Sequence, residues 1–253
     1  MRNYNDSKYI NKDTVSFYTN TNEEHLVQPV KGIIAEFPGL DGGSCIGGTL
    51  ERGSYSNEWT KRFGEKGIIV AYMFPGPWSW GSKGVSRIAD AVVAALADKY
   101  GLETGFPVAA CGGSMGGVGT VMYVAESRYK LCGAAIACPC VDAEDRLMSH
   151  PDFPRTYLSA VANYDMEFED GLKSISPIHR IQDMQKIPYF ICSDAEDEVF
   201  PEEQCDLYVE KLKNAGHDVV YYKQPGEKHG GFLPEIREKL HIFLENCILG
   251  KEG

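Results

Sequence analysis

The sequence lacks any apolar run long enough to span a bilayer, and its opening residues, Met1 to Lys8, lack the apolar stretch of a signal peptide. It has no low-complexity segment and no repeat at a fixed period, which argues against solenoids, fibres and extended disorder. Positive charge is scarce: 25 Lys and Arg stand against 36 Asp and Glu, for a formal net charge of -11. Proteins bind a phosphate backbone by displacing its counterions with cations, so this balance speaks against a nucleic-acid partner. The expectation is a soluble, cytoplasmic protein that engages neither membrane nor nucleic acid.

Regular cysteine spacing is also missing. The eight cysteines, Cys45, Cys111, Cys132, Cys138, Cys140, Cys192, Cys205 and Cys247, mostly lie in or beside apolar runs. In a reducing compartment they read as buried thiols acting as small hydrophobes. Cys138-Pro139-Cys140 is the one close pair, with no second pair or histidine at zinc-like spacing, so no metal site is expected. No cofactor is expected either.

What is present is a rhythm. Short apolar runs at 30–37, 67–74, 106–111, 131–137, 187–192 and 219–224 read as strands, mostly buried on both faces. Stretches with helical spacing of apolar residues follow at 59–65, 85–100, 115–127, 202–215 and 233–246. The alternation predicts an α/β fold: a mostly parallel sheet with helices on both faces and a ligand site beyond the carboxyl ends of the strands. At 253 residues the chain fits one domain. Residues 139–176 break the rhythm, carrying Pro151 and Pro154 among acidic and aromatic residues, and are expected to form an inserted lid.

The strongest motif is Gly112-Gly113-Ser114-Met115-Gly116-Gly117, a Gly-x-Ser-x-Gly pattern between a strand and a helix. On such a sharp turn small flanking residues let the backbone thrust the serine hydroxyl into the open. The run lacks the lysine of a phosphate-binding loop and occurs in mid-chain. A serine needs a base, and in this fold class the chain order is serine, acid, histidine. Of the six histidines, His229 is the one that closely follows the last expected strand. For the acid, 194–198 offers several carboxylates; Asp197, on the loop just before Val199-Phe200-Pro201, is favoured, with Asp194 in reserve and the unchosen carboxylates expected to be solvated. Oxyanion donors are expected from the backbone N–H of Met115 and of Leu40, with Asp41 next after Leu40. Trp78 and Trp80, on a loop after a core strand, are candidates for binding an aromatic acyl group or a sugar ring, or for wedging that loop against the lid. Met148, Phe153, Tyr157, Tyr164 and Phe168 line the acyl pocket or pack the lid on the body.

These residues resemble those of α/β-hydrolase esterases and the related catalytic domains of prolyl-oligopeptidase-like enzymes, through 112–117, 197–201 and Lys228-His229-Gly230. Ser176-Pro177 followed by Ile187-Pro188 also looks like the approach to the acid-bearing strand in that group. The resemblance implies the α/β-hydrolase fold and two-step acyl transfer through an acyl-enzyme; the expected activity is hydrolysis of small or carbohydrate-linked esters with acetyl or aromatic acyl groups. The expectation is of no large N-terminal propeller of the kind that restricts oligopeptidases to peptides, so a peptidase would lack its usual partner domain. The elbow also looks like that of homoserine acetyltransferases, so a peptidase or an acyltransferase is the alternative enzyme, and a non-catalytic binding protein the alternative from another class.

Overall fold

The computed structural model describes residues 6–40, 54–162 and 164–250. Its seven-stranded sheet has the order β1-β3-β2-β4-β5-β6-β7. The strands are β1 Thr19–Thr21, β2 Gly32–Phe37, β3 Ile68–Met73, β4 Val108–Gly113, β5 Gly133–Ala137, β6 Pro188–Asp194 and β7 Asp218–Gln224. All neighbours pair in parallel except β1, which runs antiparallel to β3. Every apolar run read as a strand is one, within two residues or so at its ends. β1 was hidden because Thr-Asn-Thr carries no apolar alternation; its pairing with β3 comes from tertiary contact.

The main helices are α1 Glu58–Gly64, α2 Lys83–Tyr100, α3 Met115–Glu126, α7 Glu202–Asn214 and α8 Pro234–Leu249. Between β5 and β6 lie α4 Ala143–Arg146, α5 Phe153–Val161 and α6 Phe168–Ser174, which make up most of the expected insertion. Strand alternation sorts the core into two faces. Ile33, Ala35 and Phe37 pack with α2, α3 and α7, whereas Ile34 on the same strand packs with α1 and α8. By this alternation Glu36 is directed to the α1 and α8 side. The central strands are buried on both faces as expected, but β7 is a partly exposed edge.

A third cluster ties the insertion to the body: Trp80, Met115, Val118, Phe153, Tyr157 and Phe200 pack together. Because β2 leads to β3 on one side and the chain then crosses to β4 on the other, the carboxyl ends of β2 and β4 form the switch point of the sheet, where such folds open a crevice.

Candidate active site

Two backbone features build the turn after β4. Ser114 sits at φ 57°, ψ -126°, a conformation that costs a non-glycine residue on the order of 1–3 kcal/mol and persists only where its surroundings enforce it. The enforcement is close packing of α3 on the sheet. A Cβ on Gly112 would fall 2.4 Å from the Gly116 carbonyl oxygen, and one on Gly116 would fall 2.1 Å from that of Phe37. Only hydrogen fits at either position, so the helix approaches near enough to hold the serine at the crest.

Three distant segments meet there. The Ser114 hydroxyl donates to His229 Nε2 at 2.9 Å, and His229 Nδ1 donates to Asp197 Oδ2 at 2.8 Å. These directions follow from Asp197 being ionised and hence an acceptor only. Burial works to raise the Asp197 pKa, but the bonds from His229 and from the N–H groups of Phe200 and Val199 more than offset it, leaving the carboxyl below its ordinary range. Both of those N–H groups donate to Oδ1, at 2.9 and 2.8 Å, so each carboxylate oxygen has its own task. The Asp197 side chain is 1% exposed and that of His229 24%. Phe200 sets its ring edge-to-face against the imidazole, with centroids 5.2 Å apart.

Asp194, the reserve acid, has a different role. It is buried, and contrary to the expected solvation its carboxylate accepts from the N–H groups of Glu196 and Glu227, tying the acid loop to the histidine loop. Both loops were legible as loops; the division of labour between the two aspartates depends on where each strand ends.

A cavity of about 420 Å³ opens over Ser114, lined by Pro38, Gly39, Leu40, Tyr72, Phe153 and His229 among others. The insertion contributes His150, Asp152 and Phe153. Met115 is the first residue of α3 and directly follows the serine, so its N–H has no acceptor within the helix. Leu40 lines the cavity; Asp41 lies outside the described residues.

The tryptophans are elsewhere. Neither Trp78 nor Trp80 is among the described residues lining this cavity. Trp80 is 1% exposed, donates from Nε1 to Thr156 Oγ1 at 2.9 Å and packs on Phe153 and Tyr157, so it wedges its loop against the insertion. Trp78 lies beneath the guanidinium of Arg155. Of the residues expected to line the acyl pocket or pack the lid on the body, Phe153 reaches the cavity, Tyr157 is buried under Trp80, and Met148 is 81% exposed.

One residue escaped the sequence reading. Glu36 lines the cavity beside Ser114, and burial pushes its carboxyl up to about 8, with the Tyr55 hydrogen bond to Oε1 (2.9 Å) offsetting this only in part. The signal was a lone acid inside an apolar strand.

The sequence pattern of the prolyl oligopeptidase family matches residues 70–247, which hold all three members of the chain of hydrogen bonds. The chain belongs to the prolyl oligopeptidase family. Solved structures with the same fold include a Mycobacterium tuberculosis puromycin-hydrolyzing peptidase, with TM-score 0.71 and 19% identity over 89% of this chain and 35% of that one. Pyrococcus horikoshii acylaminoacyl peptidase aligns at TM-score 0.65 and 16% identity, covering 90% of this chain and 39% of that. Esterase B from Lactobacillus rhamnosis aligns at 0.62 and 14%, covering 88% and 76%. The chain thus spans about a third of the length of the puromycin hydrolases it matches. No curated protein matches it by sequence. In this prolyl oligopeptidase family member the fold is that of an α/β-hydrolase, as the elbow implied.

Proposed function

We propose that the protein is a serine hydrolase that cleaves small carboxylic esters through an acyl-enzyme on Ser114. The observation that carries this reading is the unbroken series of hydrogen bonds from Ser114 through His229 to Asp197 at the mouth of a cavity. In the proposed first step His229 takes the hydroxyl proton as Ser114 attacks the ester carbonyl, and Asp197 orients the imidazole and stabilises its charged form. The N–H groups of Met115 and Leu40 are assigned to the developing oxyanion; removing one such donor costs roughly a hundredfold or more in rate. His229 protonates the departing alkoxide, then activates the water that releases the acid.

Wall chemistry supports small esters. The tryptophans that favoured a sugar ring do not face the cavity, and Phe153 leaves an aromatic acyl group as well suited as an acetyl group. Family membership and the peptidases among the structural relatives favour peptide cleavage as the second reading. A fluorophosphonate probe should label Ser114 in the folded protein. Turnover of p-nitrophenyl acetate, p-nitrophenyl butyrate and a feruloyl ester against peptide anilides and acceptor alcohols then separates esterase, peptidase and acyltransferase. Efficient anilide cleavage with negligible ester turnover would replace the esterase reading with the peptidase one.

A further inference from the structure

Behind the turn that carries Ser114 lies a second cavity, of about 350 Å³, between the sheet and the helices α1 and α8. Its walls are Ala135 and Ala137 from β5, Cys111 to Gly113 from β4, Trp59 from α1, and Phe232, Leu240 and His241. Glu36 and Gly113 border both this cavity and the catalytic one, so the two adjoin at the reacting serine.

Two polar groups at this cavity have no protein partner among the described residues. Glu36 Oε2 is enclosed and has no hydrogen-bond partner among the described residues, while Oε1 is taken by the Tyr55 hydroxyl. Arg237, an exposed residue at the rim, has a side chain with no ion pair or hydrogen bond among the described residues. An unmet buried polar group costs about 1–3 kcal/mol, so a ligand in the bordering cavity that draws the Glu36 carboxyl toward it gains what the protein forgoes.

We propose that this second cavity is a substrate subsite for an apolar, ring-sized group bearing a carboxylate, which Arg237 pairs with and the Glu36 carboxyl donates to. Protonation of Glu36 supports the donor role: with its pKa near 8 the side chain is a neutral acid at pH 7, and the hydrogen then belongs on the free oxygen, because Oε1 already accepts. A carboxylate has two oxygens and several lone pairs, so it can satisfy both donors, and the long guanidinium arm can swing to meet it. A cationic group, by contrast, would face Arg237 and would have to ionise Glu36. The groups around the Glu36 carboxyl are Tyr55, Tyr72 from β3, Cys111 from β4, Arg237 and His241 from α8, and Asp152, His150 and His229 across the catalytic cavity. Cys111 is held far above its ordinary value by burial, so it stays a neutral thiol.

The inference rests on the hydrolase reading only in calling the ligand a substrate, and its test is a binding measurement that needs no turnover. Isothermal titration of the full chain with 3-phenylpropionate and with 3-phenylpropionamide should show the carboxylate binding about tenfold tighter at pH 7. That preference should fade by pH 9 as Glu36 ionises, persist at pH 9 in Glu36→Gln, whose amide remains a donor, and vanish in Arg237→Gln. Leu240→Trp, which fills the cavity from α8, should abolish both affinities. Equal affinity for the two probes, no binding of either, or binding untouched by Leu240→Trp would overturn the subsite. Labelling of Ser114 by the fluorophosphonate decides the hydrolase reading separately, so either idea can fail alone.

Discussion

At the scale of single residues the site is a division of hydrogen bonds among atoms that cannot be exchanged. Replacing Ser114, the proposed nucleophile, with alanine should cut ester turnover by about 10⁴-fold or more while leaving the melting temperature within a few degrees of wild type, since alanine keeps the Cβ and the backbone of the turn and loses only the hydroxyl. Steady-state kinetics beside a thermal melt checks both halves. Asp197→Asn keeps the shape but presents an amide to the imidazole, favouring the wrong tautomer, and a loss on the order of 10³–10⁴ in kcat is expected. Glu36 gives a stability prediction with a definite sign. Its folded pKa, about 8, exceeds the ordinary carboxyl value of 4.5, so its contribution is greatest at acid pH and is lost as pH rises from that value through about 8. Glu36→Gln should therefore flatten the fall in melting temperature between pH 5 and pH 9; an unchanged slope would show that the carboxyl ionises freely. The serine turn was legible in the sequence because it demands small neighbours at fixed spacing. Glu36 was not, because one acid in an apolar strand has no meaning until the strand's neighbours are known.

At the scale of elements, the decisive unit is β4, its turn and α3. Gly116 lets the helix reach Phe37 on β2, and a methyl group there meets backbone rather than a yielding side chain. Gly116→Ala should lower stability by about 1–3 kcal/mol and displace Ser114 from His229. Chemical denaturation reads the first effect and the fluorophosphonate labelling rate the second. The insertion is the counterpart on the other side: α5 brings Phe153 to the cavity and buries Tyr157 against Trp80. That the residues from 139 break the strand-helix rhythm could be read from their prolines and length. Which of their aromatic side chains would face the cavity could not, because a helix of nine residues such as α5 has no periodicity strong enough to orient it without its partner.

At the scale of the whole molecule, helices from opposite ends of the chain close one face of the sheet. Arg62 and Lys66, on and just after α1, both donate to the Glu245 carboxylate of α8, at 2.5 and 2.6 Å for the closest contacts. Burial works to raise the Glu245 pKa, but those bonds more than offset it, so the carboxyl is held below its ordinary value. The stabilisation is therefore present at neutral pH and lost as pH falls through the depressed value. Glu245→Gln should cost about 1–3 kcal/mol at pH 7 and far less near pH 3, a difference that urea titrations at the two pH values would show. Among the described residues no helix is long and apolar enough to cross a membrane.

The order of strands and helices, the strained serine turn and the segments that carry the proposed acid and base were all determined by the sequence itself, because alternation, glycine spacing and chain order are local constraints that each stretch carries with it. Tertiary structure alone decided what the reserve aspartate Asp194 holds together, where the tryptophans point and what Glu36 faces. Those outcomes depend on distances between segments far apart in the chain, and such distances exist only once the sheet has assembled and its two faces have been covered.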